Sequence, residues 1–132
     1  MSAKVLFVCV ENSCRSQIAE AFARKLGAGV LEPQSAGSKP SGKVNPMAVE
    51  VMAERGFDLS AQKSKGLGDL PADRWDYVVT MGCGDACPYV PTKKRLDWNI
   101  PDPKTMPKEE FHKICDMIEI KVKGLVNENR LS

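Results

Sequence analysis

Long apolar runs are missing from this chain. The longest near the N-terminus, Val5-Leu-Phe-Val-Cys-Val10, has six residues, too few for a membrane span or the core of a secretory signal. We therefore expect a cytoplasmic protein with no membrane partner. An excess of one charge is missing too: 19 Lys and Arg stand against 17 Asp and Glu, a net charge of +2. That excludes nucleic-acid binding through a general basic field, although a local anion site needs only a few oriented donors. Histidine is nearly absent. The single His112 falls on the solvated side of a predicted helix, and with no other histidine nearby there is no reason to make it a general base. No repeat or biased segment points to a solenoid or to disorder.

What is present suits one domain. A chain of 132 residues can bury a single core without staples or metals, and we expect one domain over 1–132, acting as a monomer. Five cysteines is an odd number, and in a reducing compartment cysteines are catalytic, redox-active or plain core residues rather than a disulfide framework.

The pattern alternates strands and helices. Lys4 to Val10 is a continuous aliphatic run, as in a strand buried on both faces of a parallel sheet. From about Cys14 to Leu26, Ile18, Ala19, Phe22 and Leu26 recur at helical spacing until Gly27 and Gly29 stop the helix. A second strand is expected over about Val30 to Ala36, weakened by Pro33, and Gly37 to Gly42 is a turn-rich loop. Asn45-Pro46 starts a helix, Asn as N-cap and Pro at the first position, that ends near Gly56. Phe57 to Arg74 is irregular. Trp75 to Met81 is a third strand, Lys94 to Trp98 a weaker fourth, and Pro107 to about Glu128 a last helix whose end charges match the macrodipole. This is a three-layer α/β domain, in which ligands sit at the carboxyl ends of the strands.

That rule points to Cys9-Val-Glu-Asn-Ser-Cys-Arg-Ser16, where the first strand turns into the first helix. Unpaired amides and the positive end of the helix dipole can cradle an oxyanion there, so Val10, Glu11, Asn12, Ser13, Cys14, Arg15 and Ser16 form the candidate oxyanion-binding loop. Cys9 sits at its lip, where the same donors and the charge of Arg15 favour a thiolate nucleophile. Arg15, turned back over the loop, can grip two oxygens with its planar fork. Ser16 can donate to Cys9, and Asn12 and Ser13 can hold the loop backbone in shape. A buried strand cysteine with an unrelated surface arginine would share the Cys-x5-Arg spacing; its placement between a buried strand and a helix start favours the functional reading. Glu11 should repel an oxyanion unless it points to solvent.

Cys9 to Glu20 resembles the catalytic loop and first helix of the low-molecular-weight protein tyrosine phosphatase superfamily, closest to its arsenate reductase branch. The similarity extends through Ser35-Ala-Gly37, Asn45-Pro46, Val78-Val-Thr-Met81, Cys83 to Pro88 and Asp102-Pro103. It implies a four-stranded parallel sheet flanked by helices. It also implies attack by Cys9 on arsenate or a phosphate-like oxyanion, with Asp102 protonating the departing oxygen and Pro103 stiffening the acid loop. A solvated turn aspartate would share the Asp-Pro pair, and Asp97 and Asp85 are weaker candidates for the acid.

Cys83 and Cys87 separate the branches. In the arsenate reductases that this sequence resembles, a second cysteine attacks the arsenylated first one, and a third takes over the disulfide and presents it to a reductant. The resemblance thus implies Cys9 as nucleophile, Cys83 as second thiol and Cys87 as third, ending in a Cys83–Cys87 bond with Gly82 and Gly84 supplying freedom. The best-known family members space the last two cysteines more widely, so this compact spacing is a departure. A zinc site would need four ligands, and no second pair at zinc spacing accompanies these two, so no metal is expected. Thioredoxin is the expected electron donor, with no tightly bound cofactor; glutaredoxin with glutathione, or mycothiol, would serve a relay with one protein thiol. The alternative is a phosphotyrosine phosphatase working through a Cys9 phosphocysteine. Against it stand the cysteine pair and Lys104, where phosphatases of the family place an aromatic residue.

Cys14 is expected to pack beneath the loop and Cys115 in the last helix's apolar stripe. Some relatives in this superfamily form a monovalent-cation site with residues matching Glu20 and Ser35 near the loop asparagine, and the ammonium of Lys65 is expected to replace that cation and order Asn12.

Overall fold

The computed structural model describes residues 2–70, 74–81, 90 and 92–130. The chain runs through β1 (Ala3–Cys9), α1 (Arg15–Leu26), β2 (Leu31–Gly37), α2 (Pro46–Glu54), a single 3-10 turn at Leu67–Asp69, β3 (Trp75–Thr80), β4 (Thr92–Asp97) and α3 (Lys108–Arg130). All four strands are parallel, in the order β2-β1-β3-β4. The α/β architecture expected from the sequence is the one observed. None of the described helices is long and apolar enough to cross a membrane.

The centre of the sheet explains the composition of β1. It pairs with β2 on one side and β3 on the other, so both of its edges are bonded, and a cluster packs on each of its faces. Val5 and Phe7 pack into the larger cluster with Ile18 and Phe22 of α1, Met52 of α2 and Phe111 and Ile118 of α3. Leu6 and Val8 face the other way, toward Ala36, Trp75 and Val78, with Leu67 and Leu70 over them. Phe7, Phe22 and Phe111 are completely buried, and each such ring stabilises the fold by roughly 1.5–3 kcal/mol.

Pro33 does not break β2, because β2 is an edge strand. It sits opposite Val5, and an edge strand can turn its missing N–H to the unpaired side. Asn45 caps α2 as the sequence predicted: its Oδ1 accepts from the amides of Met47 at 2.8 Å and Ala48 at 3.3 Å, and Pro46 follows. Gly56, with φ 87°, then reverses the chain in a conformation that favours glycine. Within the segment expected to be irregular, the described residues add the Leu67–Asp69 turn and an isolated bridge from Gly66 to Gly37.

Parallel pairing brings one end of every strand to a single edge. Cys9 is opposite Gly37, Val8 opposite Thr80, and Thr80 opposite Asp97. The loops that leave this edge carry the residues described next.

Candidate active site

The turn from β1 to α1 is held from below by a buried amide. Asn12 has φ 51°, the left-handed region that asparagine tolerates better than most residues. Its side chain is completely buried and its Oδ1 accepts from the backbone amide of Lys65 at 2.7 Å and from Gln17 Nε2 at 2.8 Å. Because a backbone N–H can only donate, that contact fixes which end of the amide is oxygen. The other end, Nδ2, donates to Ser16 Oγ at 2.8 Å. Gln17 extends the brace, donating also to the carbonyls of Asn12 at 3.0 Å and Lys63 at 2.8 Å. Gly37 gives the loop its space. A Cβ there would collide with the carbonyl oxygen of Val10 and stand 2.9 Å from the amide of Asn12.

This brace sets the environment of Cys9. Its Sγ lies 2.8 Å from Ser16 Oγ. Since Ser16 already accepts from Asn12, its one hydroxyl hydrogen is free to point at the sulfur, the hydrogen bond that a sulfur anion accepts. Among the described residues, no group accepts from the amides of residues 11–16, and the first turn of α1 contains no acidic residue. An unopposed helix N-terminus with a row of free amides is a cradle for an anion. Cys14 lines the same cavity, but burial pushes its thiol up to about 12. Burial likewise pushes Cys115, on the buried face of α3, up to about 11. Both stay protonated at neutral pH, and Cys9 is the described cysteine with an anion cradle around it.

Arg15 is buried, at 9% exposure, and turns across the sheet edge. Nη1 donates to the carbonyls of Met81 and, at 2.8 Å, of Ile100. Nη2 stands 3.9 Å from Asp102 Oδ2. The guanidinium therefore ties together the loop after β1, the end of β3 and the segment after β4, while its remaining N–H groups are left for an anion. Asp102 is half exposed, with Oδ1 accepting from the amide of Lys104 at 3.1 Å. Asp97 is used elsewhere: its Oδ1 accepts from Thr80 Oγ1 at 3.0 Å.

A cavity of about 440 Å³ collects these groups. Cys9, Val10, Glu11, Ser13, Cys14, Arg15 and Asp102 line it, so the loop and the candidate acid meet although 93 positions separate Cys9 from Asp102. Asn12 and Ser16 lie beneath, fully buried, and support the loop rather than face the cavity. Cys83 and Cys87, with Gly82, Gly84 and Asp85, lie outside the described residues. Met81, just before them, is the residue whose carbonyl holds Arg15.

Three expectations are revised by the structure. Glu11 is neither free nor turned simply to water; its two carboxylate oxygens contact Lys104 Nζ at 2.7 and 2.8 Å, and that hydrogen bond raises the affinity of Lys104 for its proton. Lys65 meets the expected carboxylate, with Nζ 3.6 Å from Glu20 Oε1, but it orders Asn12 through its backbone amide rather than its ammonium. His112 is partly buried between α2 and α3, with Nε2 3.2 Å from Glu54 and Nδ1 3.3 Å from Arg55. Lys39 was missed. It lines the cavity from the loop after β2, and the rule that ligands gather at the carboxyl ends of strands could have found it.

Comparison with known proteins gives a consistent picture. A family model described as low molecular weight phosphotyrosine protein phosphatase matches residues 4–131. The glutaredoxin arsenate reductase of Synechocystis sp. is 39% identical over 126 residues, which cover 93% of this chain and 95% of that protein. A solved arsenate reductase in the phosphate binding state superposes with a TM-score of 0.88 at 38% identity, over 98% of this chain and 99% of that one. A thioredoxin-dependent arsenate reductase from Corynebacterium glutamicum superposes with a TM-score of 0.79 at 35% identity, over 98% of this chain and 63% of that one.

Proposed function

From the premise that this chain belongs to the low molecular weight phosphotyrosine protein phosphatase family, we propose that it is an arsenate reductase that converts arsenate to arsenite with its own thiols. The observation that carries the reading is the position of Cys9 Sγ, 2.8 Å from Ser16 Oγ, at the head of a loop of free amides and in one cavity with Arg15 and Asp102.

The first step is substitution at arsenic. Arsenate rests on the amides of residues 11–16, with Arg15 balancing its charge. The Cys9 sulfur attacks arsenic, a S–As bond forms, and an As–O bond breaks. Asp102 delivers a proton so that the oxygen leaves as water. No electron has yet reached arsenic.

Reduction occurs in the second step. The thiolate of Cys83 attacks Cys9 Sγ, a S–S bond forms, and the electron pair of the S–As bond passes to arsenic. Arsenite leaves, and Cys9 and Cys83 are oxidised together by two electrons. Cys87 then attacks Cys83, which frees Cys9 as a thiolate and leaves a Cys83–Cys87 disulfide. Reduced thioredoxin, a protein dithiol, reduces that bond by two further exchanges and closes the cycle. Two of the relatives carry a donor in their names, one glutaredoxin and one thioredoxin; the Cys83/Cys87 pair in this chain favours thioredoxin. The protein works as a cytoplasmic monomer with no tightly bound cofactor. Because phosphate shares the charge and shape of arsenate, slow phosphomonoester hydrolysis through Cys9 accompanies the main activity.

The test couples the protein to arsenate, thioredoxin, thioredoxin reductase and NADPH. Sustained NADPH consumption by the intact chain, its loss in Cys9→Ser, and at most a single turnover in Cys87→Ser are expected. Equal rates with and without Cys87 would remove that residue from the relay, and full activity in Cys9→Ser would end the reading.

A further inference from the structure

We propose that the Glu11–Lys104 ion pair is a selectivity filter on the oxyanion cavity, admitting free tetrahedral anions and obstructing organic esters of the same anions. The inference rests on the oxyanion-binding part of the proposed function and deepens it.

The argument begins with topology. Glu11 follows Cys9 at the end of β1, and Lys104 follows Asp102 in the segment after β4. The sheet order places β3 between β1 and β4, so the strands that these two loops leave stand two spacings apart, about 10 Å. Lys104 Nζ closes that gap on both Glu11 oxygens, at 2.7 and 2.8 Å. Arg15 crosses the same gap to the carbonyls of Met81 and Ile100.

Depth separates the two crossings. Cys9 is 4% exposed and Arg15 9%, whereas the side chains of Lys104 and Glu11 are 53% and 33% exposed. Cys9 and Arg15 thus form the floor of the cavity and the ion pair spans its solvent side. Displacement at a tetrahedral centre requires the leaving oxygen to lie roughly in line with the attacking sulfur and away from it. With sulfur at the floor, that direction is outward. The leaving group of free arsenate or phosphate is a single oxygen, which fits beneath the pair. An ester carries its organic group into the pair and has to break it.

The same contact removes a difficulty. Glu11 alone would repel a dianion from the amides beside it; pairing with Lys104 cancels its charge at the mouth. Solvent exposure limits the strength of such a pair, so its discrimination is modest, about 2- to 5-fold.

Calorimetry on the whole protein tests this with two dianions, inorganic phosphate and phenylphosphonate, whose P–C bond resists hydrolysis. The readout is the ratio of the two dissociation constants. Glu11→Ala/Lys104→Ala removes one charge of each sign, so the pair is lost without a change in net charge. The expected result is that phenylphosphonate gains about 2- to 5-fold relative to phosphate. Each single variant shifts both constants through charge, in opposite senses, and still improves the ratio. An unchanged ratio in a double variant with the parental urea midpoint would overturn the proposal. Should that variant fail to fold, the parent protein in about 1 M salt, where screening acts within about 3 Å, has to show the improved ratio; a constant ratio there overturns it equally. A shifted ratio without arsenate turnover would sink the reductase reading and leave the filter, while turnover with a constant ratio would sink the filter alone.

Discussion

Replacing Asn12 by alanine should cost this small domain a large part of its stability, and the structure says how much. Asn12 makes three side-chain hydrogen bonds, buried ones to Ser16 and Gln17 and a partly buried one to the amide of Lys65. Ser16 keeps Cys9 as a partner, and Gln17 keeps the carbonyls of Asn12 and Lys63. The amide of Lys65 has no other described acceptor, and leaving it unpaired costs about 1–3 kcal/mol. The two remaining bonds contribute about 1 kcal/mol each. Alanine at φ 51° adds about 1 kcal/mol of backbone strain. Together these give a loss of about 4–6 kcal/mol, against a typical total of about 5–15 kcal/mol. Urea denaturation measures it directly from the midpoint and slope. Asn12→Gly provides the internal control: it loses the same bonds without alanine's left-handed strain, although glycine also gains freedom in the unfolded chain. A loss below about 1 kcal/mol in Asn12→Ala would refute the idea that this amide holds the loop.

Two further predictions follow from the site and the core. Gly37→Ala places a Cβ against the carbonyl of Val10 and the amide of Asn12, both backbone groups that cannot swing away; thermal unfolding should show a loss of at least about 2 kcal/mol, and calorimetry should show weakened phosphate binding. In Cys115, burial raises the thiol from 9.0 to about 11, so the unfolded chain gives up its proton first. Stability from this group is therefore fully present below pH 9 and is lost as the pH rises toward 11, with a limiting slope of about 1.4 kcal/mol per pH unit. Cys115→Ala should flatten the alkaline limb of the stability curve by that amount between these values; an unaltered limb would contradict the burial argument.

Much of the fold was legible because its signals are local. The run from Val5 to Val10 could only be a strand covered on both sides, and the order of strands confirms why: β1 is central. Asn45-Pro46 marked a helix start whose cap bonds are present. Pro33 misled slightly, since a proline's effect depends on whether its strand is at the edge, and that depends on which strands pair. The turn after the first strand was legible for the same local reason. A buried strand running straight into a helix start has to expose amides at that turn, and the placement of Cys9, Asn12 and Ser16 then follows.

Pairings across the chain were not legible. Nothing near Glu11 in sequence announces Lys104, 93 positions away. His112 looked solvated because its helix alone says nothing of Arg55 and Glu54 on α2. Lys65 was expected to act through its charge, and acts on Asn12 through its amide, since backbone direction in an irregular segment carries no side-chain pattern.

The sequence by itself determined the alternation of strand and helix and the turn whose amides surround Cys9, because periodicity, capping and spacing act over a few residues. The tertiary structure alone decided which lysine and which carbonyls surround Cys9, and it brings Asp102, which the family resemblance had named, into the same cavity. Those partners are chosen by the parallel sheet, which gathers the ends of strands distant in the chain onto one edge.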